Sequence, residues 1–446
     1  MPKKSKKKTK ASKQEKQAAR KKADELVGVG NGEMDRALAA RRNKDLATAL
    51  KHLALAQCAY QQAAEACTVH LDSLYNLGVC QSICSNIHSR LRSTVESEAA
   101  HVLAKQHFNA VICKDSSGRS ETLSLAYTSL AALLVKAPKA AIEKVGKCDK
   151  SFARTALQDL EQALNHVNAS IRISTNLNNL ASVVSSHLQA GDIEALAMRW
   201  SLRIENVDGA FSHCETACWH FDQGLQSPVP VDDLQLLDSK IKTLHTLCSW
   251  AVENNVNNDK DQFHSRFAAA LDRAEETAKT LSLIPPEAGK GFGELLIVMG
   301  DICEMKKKKL DALQFYENAI KLEPDNADAH AAAADILLDE GRDKVRSATE
   351  SNERMAAVEL LRRSAEYFKN AARLDPVQNS VYTYNLACAS ALATDEKGCQ
   401  DALKALRTKE ATGGTIGKEA SELILDVADD EDFVSMRGMK WFREIA

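Results

Sequence analysis

An all-helical chain is what this sequence predicts, and three observations predict it. Aromatic residues make up 5% of the 446 residues, with 19 glycines and 8 prolines. That is too few turn-formers and ring-bearing strand residues for a β-sandwich or barrel of this size. No proline stands between Pro2 and Pro138, and residues 34–110 are dense in Ala, Leu, Gln, Glu and Arg, the strong helix formers. No segment shows the polar–apolar alternation of a half-buried strand. The later prolines, at 138, 228, 230, 285, 286, 324 and 376, read as punctuation between helices, none interrupting one. Loops are expected at Lys114–Arg119, Ser227–Val231, Asn254–Asp259 and Ile284–Gly293.

The first element is set by charge. Residues 1–22 carry eleven Lys/Arg against the single Glu15, so a net charge of −3 divides into +10 there and −13 on the rest. A basic segment of this kind, with Lys3, Lys4, Lys6, Lys7, Lys8 and Lys10 at its head, is expected to be a disordered, solvated arm over residues 1–25. It fits a nuclear-import signal, an RNA or ribosomal phosphate contact, or a solubilising tail. No run of about 18 uncharged apolar residues and no secretory leader is seen, so a cytoplasmic protein, with the nucleus as second location, is expected and no membrane partner.

Beyond the arm the chain repeats. Between residues 293 and 326, Leu296, Met299, Gly300, Ala312, Tyr316, Ala319 and Pro324 alternate small and bulky residues as two touching helices require. A second unit opens at Ala333-Ala334 and closes with Phe368, Ala371 and Pro376, its halves separated by about 18 extra residues that include the polar run Arg342–Arg354. A third follows at Tyr384–Ala387 with Cys399, Leu403 and Leu406. Upstream, Ala49, Leu53 and Ala56 read as a second helix, and Tyr75-Asn76-Leu77-Gly78 opens a unit whose second helix, with Ala104 and Phe108, comes after about 14 inserted residues.

This spacing resembles the tetratricopeptide-repeat superfamily, strongly over residues 287–408. The resemblance implies an all-α, helix-turn-helix superhelix, an α-solenoid. It divides the chain into the basic arm 1–25, long helix pairs 26–120, degenerate helical repeats 121–286, repeat units 287–408, and capping helices with a tail 409–446. Within 121–286, Thr155–Val167, Asn176–Ala190, Ile193–Asn206 and Leu234–Val252 read as separate helices without clear signature residues. In the tail, Phe433, Met436, Trp441 and Phe442 are expected to seal the last open face.

Catalytic and cofactor chemistry is not expected. Ala411–Glu419 suggests a phosphate loop, but Thr412 stands where the first glycine belongs and Glu419 where a Ser/Thr belongs. Twelve cysteines without regular spacing read as reduced core fillers. Two groups have ligand types for zinc: Cys80, Cys84 and His88, and His213, Cys214, Cys218 and His220. Neither has a matching CxxC, and the adjacent His213 and Cys214 point about 100° apart on a helix, so no metal is expected.

Because the resemblance implies that first helices line a concave groove, residues three to four apart on them become candidate partner contacts: Glu294, Ile297, Asp301, Glu304 and Met305, then Asp328, Ala331, Asp335, Leu338 and Asp339. Six of the ten are acidic, and none is Lys or Arg. At the five positions that clamp the C-terminal carboxylate of heat-shock chaperones in related arrays, this chain holds Ile297, Asp301, Ala332, Val381 and Asn385, with one match among the five. Met34 and Leu38 fail the same test in the N-terminal unit, although Asn76 fits. The expectation is therefore a non-enzymatic scaffold, adaptor or chaperone, taking a basic peptide or protein segment in an acidic groove. The alternative is a ribosome- or RNA-associated factor working through the arm.

Overall fold

A computed structural model describes residues 3–115, 117–143, 150–228, 233–254, 264–283, 292–411 and 414–445, the side chains of 3–12 and 414–416 excepted. Most of the loops expected at 227–231, 254–259 and 284–293, the side chains of Lys3, Lys4, Lys6, Lys7, Lys8 and Lys10, and Thr412 therefore lie outside it. No strand occurs among the described residues. The helices are α1 (Lys3–Arg42), α2 (Leu46–Ala66), α3 (Leu71–Arg90), α4 (Thr94–Lys114), α5 (Glu121–Ile142), α6 (Lys150–Asn176), α7 (Leu180–Arg203), α8 (Val207–Leu225) and α9 (Asp233–Glu253). They continue with α10 (His264–Leu281), α11 (Phe292–Met305), α12 (Lys309–Leu322), α13 (Ala327–Ser347), α14 (Ser351–Leu374), α15 (Asn379–Leu392), α16 (Glu396–Glu410), α17 (Gly414–Val427) and α18 (Lys440–Ile445). The chain forms two compact units, residues 1–243 and 244–446. In each, neighbouring helices pair as antiparallel hairpins, α1–α2, α3–α4, α5–α6 and α7–α8 in the first and α11–α12, α13–α14 and α15–α16 in the second.

One turn recurs. Lys44, Arg92, Asn178, Glu205, Lys307 and Thr394 have φ between 53° and 62°, the left-handed region that side chains usually avoid. The N–H of the following residue bonds a carbonyl five positions back, as in Asp45 to Ala40 (3.0 Å) and Asp395 to Ser390 (2.8 Å). That bond closes the finished helix in a Schellman motif. Four of the six following residues at once cap the next helix: Asp45, Asn179, Asn206 and Asp395 accept from backbone N–H groups of its first turn. Ending one helix and starting the next within three residues reverses the chain and pairs the two antiparallel.

The paired helices touch where a glycine faces a ring. Gly30 lies against Tyr60, Gly78 against Phe108, Gly191 against Phe221 and Gly300 against Tyr316, each so close that a Cβ would enter the ring. The separation is 30 residues in the first three pairs and 16 in the last. The long hairpins thus carry seven extra residues on each helix. Seven residues are close to two turns at 3.6 per turn, so lengthening by that step returns glycine and ring to the same faces.

Several expectations are corrected by this geometry. Asn176–Ala190 and Ile193–Asn206 are not two helices but mainly one, α7. Gly191, which falls between the two expected helices, is where Phe221 packs. The signature said to be missing from 121–286 is therefore present in α7–α8, at the 30-residue spacing that a 34-residue template overlooks. In the polar run Arg342–Arg354 all but residues 348–350 are helical, so the extra residues of this unit lengthen α13 and α14. Pro138 does lie inside a helix, α5, but just before its final turn, four residues ahead of its end at Ile142, and forfeits one backbone bond.

The disordered arm is likewise replaced by helix, because α1 runs unbroken from Lys3 to Arg42. The residues that make the segment basic, Lys with Gln, Ala and Arg, are good helix formers. The packed half, with Ala23 and Ala37 buried, supplies the nucleus from which propagation is inexpensive. Among the described residues α5 has the length and apolarity to cross a membrane. Here Ala131, Leu134 and Ile142 pack with Ala153, Ala156 and Leu160 of α6. Ser124 joins Ser170 (2.6 Å) and Ser174 (2.7 Å) of α6, buried serines allowing close helix approach.

In residues 244–446, α11–α12, α13–α14 and α15–α16 are hairpins. Beyond them Phe433, Met436 and Phe442 bury into a core with Ala387, Leu403, Leu406 and Ile424, while Trp441 packs on its edge and donates to Glu396 (2.7 Å).

Candidate functional site

The first helices of these hairpins present carboxylates that the fold brings together. Tyr316, fully buried at the α11–α12 contact, projects its hydroxyl past Gly300 and donates to Asp301 (2.7 Å) and Glu304 (3.2 Å). His245 on α9 reaches the other oxygen of Asp301 (2.9 Å). On α13 Asp335 accepts a long bond from Asn385 of α15 (3.4 Å), and Asp339 pairs with Arg342 (3.2 Å). Side chains of α9, α11, α13 and α15 thus share one face.

The carboxylates feel one another. Burial, with the charges of Asp339 and Glu304 adding to it, raises the Asp335 carboxyl to about 6, against the opposing pull of Arg342. Burial also raises Glu304, and Asp301 and Asp339 push in the same direction. Among the sequence-derived contacts, Asp301, Glu304, Asp335 and Asp339 therefore form one coupled group, with Asn385 at its edge. Glu294 is exposed two turns before Asp301, outside the group. Asp328 is exposed at the start of α13, where its charge, with those of Asp375 and Asp335, adds to the burial that holds the Tyr382 hydroxyl up.

The face is less purely acidic than the sequence reading has it. Lys309 lies 3.9 Å from both Asp339 and Glu340, and Arg342 extends beyond Asp339 to grip Asp432, donating from Nε (3.0 Å) and Nη2 (2.6 Å). Asp432 is 3% exposed. Arg346 pairs with Glu431 (3.0 Å), and Tyr384 donates to Asp430 (2.5 Å). The acidic stretch Asp429–Asp432 thus folds back onto α13 and α15. Sequence reasoning missed this, although Arg342 and Arg346 stand three and seven residues after Asp339 on its helical stripe.

The zinc candidates are separated. His213 bonds Glu194 (2.6 Å) while His220 bonds His187 (3.1 Å), two different partners. Burial, helped by His187, holds His220 down at about 4, so it is neutral at pH 7. Cys80 and Cys84 are buried, which pushes their thiols up to about 12 and about 11; the thiolates that a metal needs are disfavoured. Among the described residues Cys388, Asp430 and Asp432 bring ligand-type atoms within 4.8 Å, but Arg342 already answers Asp432 there. Purified protein is expected to hold less than one equivalent of zinc, with a chelator leaving the melting curve unmoved. Stoichiometric zinc lost on Cys218→Ala would reverse that conclusion. Residues 414–419 of the phosphate-loop-like stretch are the first turns of α17.

No family model matches the chain, and no curated protein sequence matches it. Solved structures similar to it are helical. A circular tandem repeat protein shows 13% identity and a TM-score of 0.30, with 96% of each chain covered. The Naa15/Naa10 complex bound to HypK-THB shows 14% and 0.30, covering 92% of this chain and 73% of that one. Yeast Tom70 shows 13% and 0.26, covering 92% and 99%.

Proposed function

We propose that the chain is a non-enzymatic interaction scaffold whose α9–α11–α13–α15 face takes a lysine- or arginine-bearing segment of a partner protein. The supporting observation is the coupling of Asp301, Glu304, Asp335 and Asp339. Burial, reinforced by the charges of Asp339 on the same helix and Glu304 on α11, raises Asp335 to about 6, and a cation placed among these carboxylates relieves the repulsion between them. Nearby cations are partly committed elsewhere, Arg342 to Asp432 above all.

The charge state supplies the test. Well above pH 6 Asp335 is ionised; as pH falls through about 6 its carboxyl takes a proton and attraction weakens. Affinity for a Lys/Arg peptide, measured by titration calorimetry, is expected to fall up to about fivefold between about pH 7.5 and 5.5. Asp335→Asn should remove most of that dependence. A flat profile, or an unchanged one in the variant, would sink the reading.

A further inference from the structure

Among the described residues the paired helix α2 ends beside the middle of α1, short of its N-terminal half. Gly30 against Tyr60 sets α1 and α2 antiparallel, and in that register Ala66, the last residue of α2, stands level with Asp24. The contact there is the bond between Asp24 and His70 (2.9 Å), beside buried Ala23. Residues 3–22 continue beyond it for about 30 Å at 1.5 Å per residue. From Lys13 to Lys22 every side chain is exposed except the partly covered Ala19. The overhang carries eleven Lys/Arg and one Glu.

We propose that this overhang binds the phosphate backbone of nucleic acid, without reading base sequence. Its composition excludes the rival polyanions. Residues 3–22 contain no apolar side chain larger than alanine, so the helix has nothing to insert into a lipid surface, where interfacial helices use bulky apolar faces. Helix-in-groove docking on an acidic protein uses apolar anchors at i, i+3, i+4 and i+7. Here lysines hold that spacing instead, at Lys3, Lys6, Lys7, Lys10 and Lys13. Ten of the eleven cations are lysine, a flexible point charge suited to single phosphates, where base edges call for the planar fork of arginine. A column of such charges with no hydrophobic anchor matches a repeating phosphodiester chain. RNA and DNA share that chemistry.

The full-length chain should be titrated, by fluorescence anisotropy, with an RNA duplex, a DNA duplex of the same sequence, a scrambled RNA duplex, polyglutamate and anionic vesicles. Lys6→Gln, Lys7→Gln, Lys10→Gln and Lys13→Gln in one chain form the comparison. Both natural-order and scrambled duplexes are expected to bind alike, with affinity falling linearly in log–log salt between about 50 and 200 mM. The fourfold variant should flatten that slope by about 3 while keeping its helix content and melting temperature, since each phosphate contact contributes about 0.7–0.9 to it. Tighter binding of either RNA or DNA names the natural source and supports the proposal. It is overturned by absent nucleic-acid binding at low salt, by an unchanged slope in the folded variant, or by polyglutamate or vesicles binding as tightly as the duplexes.

Discussion

Phe221→Ala is expected to lower stability by about 3–5 kcal/mol, the cost of emptying a fully buried aromatic site. The ring is 0% exposed and packs against the bare backbone of Gly191, with Val184, Ala217 and Leu236 around it. Nothing in two antiparallel helices held by a Schellman turn lets the gap collapse without moving one helix. The reciprocal change, Gly191→Leu, puts side-chain atoms where the ring already is and should cost about 1–3 kcal/mol by overpacking. Gly300→Leu should do the same against Tyr316. Urea midpoints read by circular dichroism check all three; unchanged midpoints for Phe221→Ala and Gly191→Leu would show that α7–α8 does not share this register.

Charge reversal of the acidic face is expected to have the largest effect on binding. Asp301, Asp335 and Asp339, all changed to Lys, should abolish binding of a Lys/Arg peptide. Each exposed contact is worth about 0.2–1 kcal/mol, so three losses together weaken binding by about threefold to about 150-fold even before the new repulsion is counted. Because Asp301 accepts from Tyr316 and Asp339 from Arg342, the triple Asn variant is the necessary companion. It keeps a hydrogen-bond acceptor at each position and removes only the charge. If the folded triple Asn variant holds its natural partner as well as the parent does, the carboxylates are a solvated face and the scaffold binds elsewhere.

Much of this architecture was legible from the residues. Gly300, Tyr316 and Pro324 marked α11–α12 because their 34-residue template is the common one. The same contact in α7–α8 went unseen because Gly191 and Phe221 are 30 residues apart, and a lone glycine reads as a breaker when its ring lies so far along the chain. Charge was legible as composition but not as geometry. Asp301, Glu304, Asp335 and Asp339 were found by helical spacing, whereas the pairing of Arg342 with Asp432 joins residues 90 apart, which no local pattern reveals. The arm was misjudged because net charge argues for disorder and lysine-rich composition argues for helix. The packed start provided by Ala23 decided between them.

That pair of distant residues also bears on how the molecule comes apart. Hairpin contacts join residues that are near in sequence, so they form quickly and release piecemeal, one hairpin at a time, from a free end. A stack of that kind frays. Asp432 in the grip of Arg342, with Phe433 buried beyond it, ties the last segment to a helix two hairpins back. The stretch from α13 to Phe433 is therefore expected to open as a block, more cooperatively than single hairpins fray.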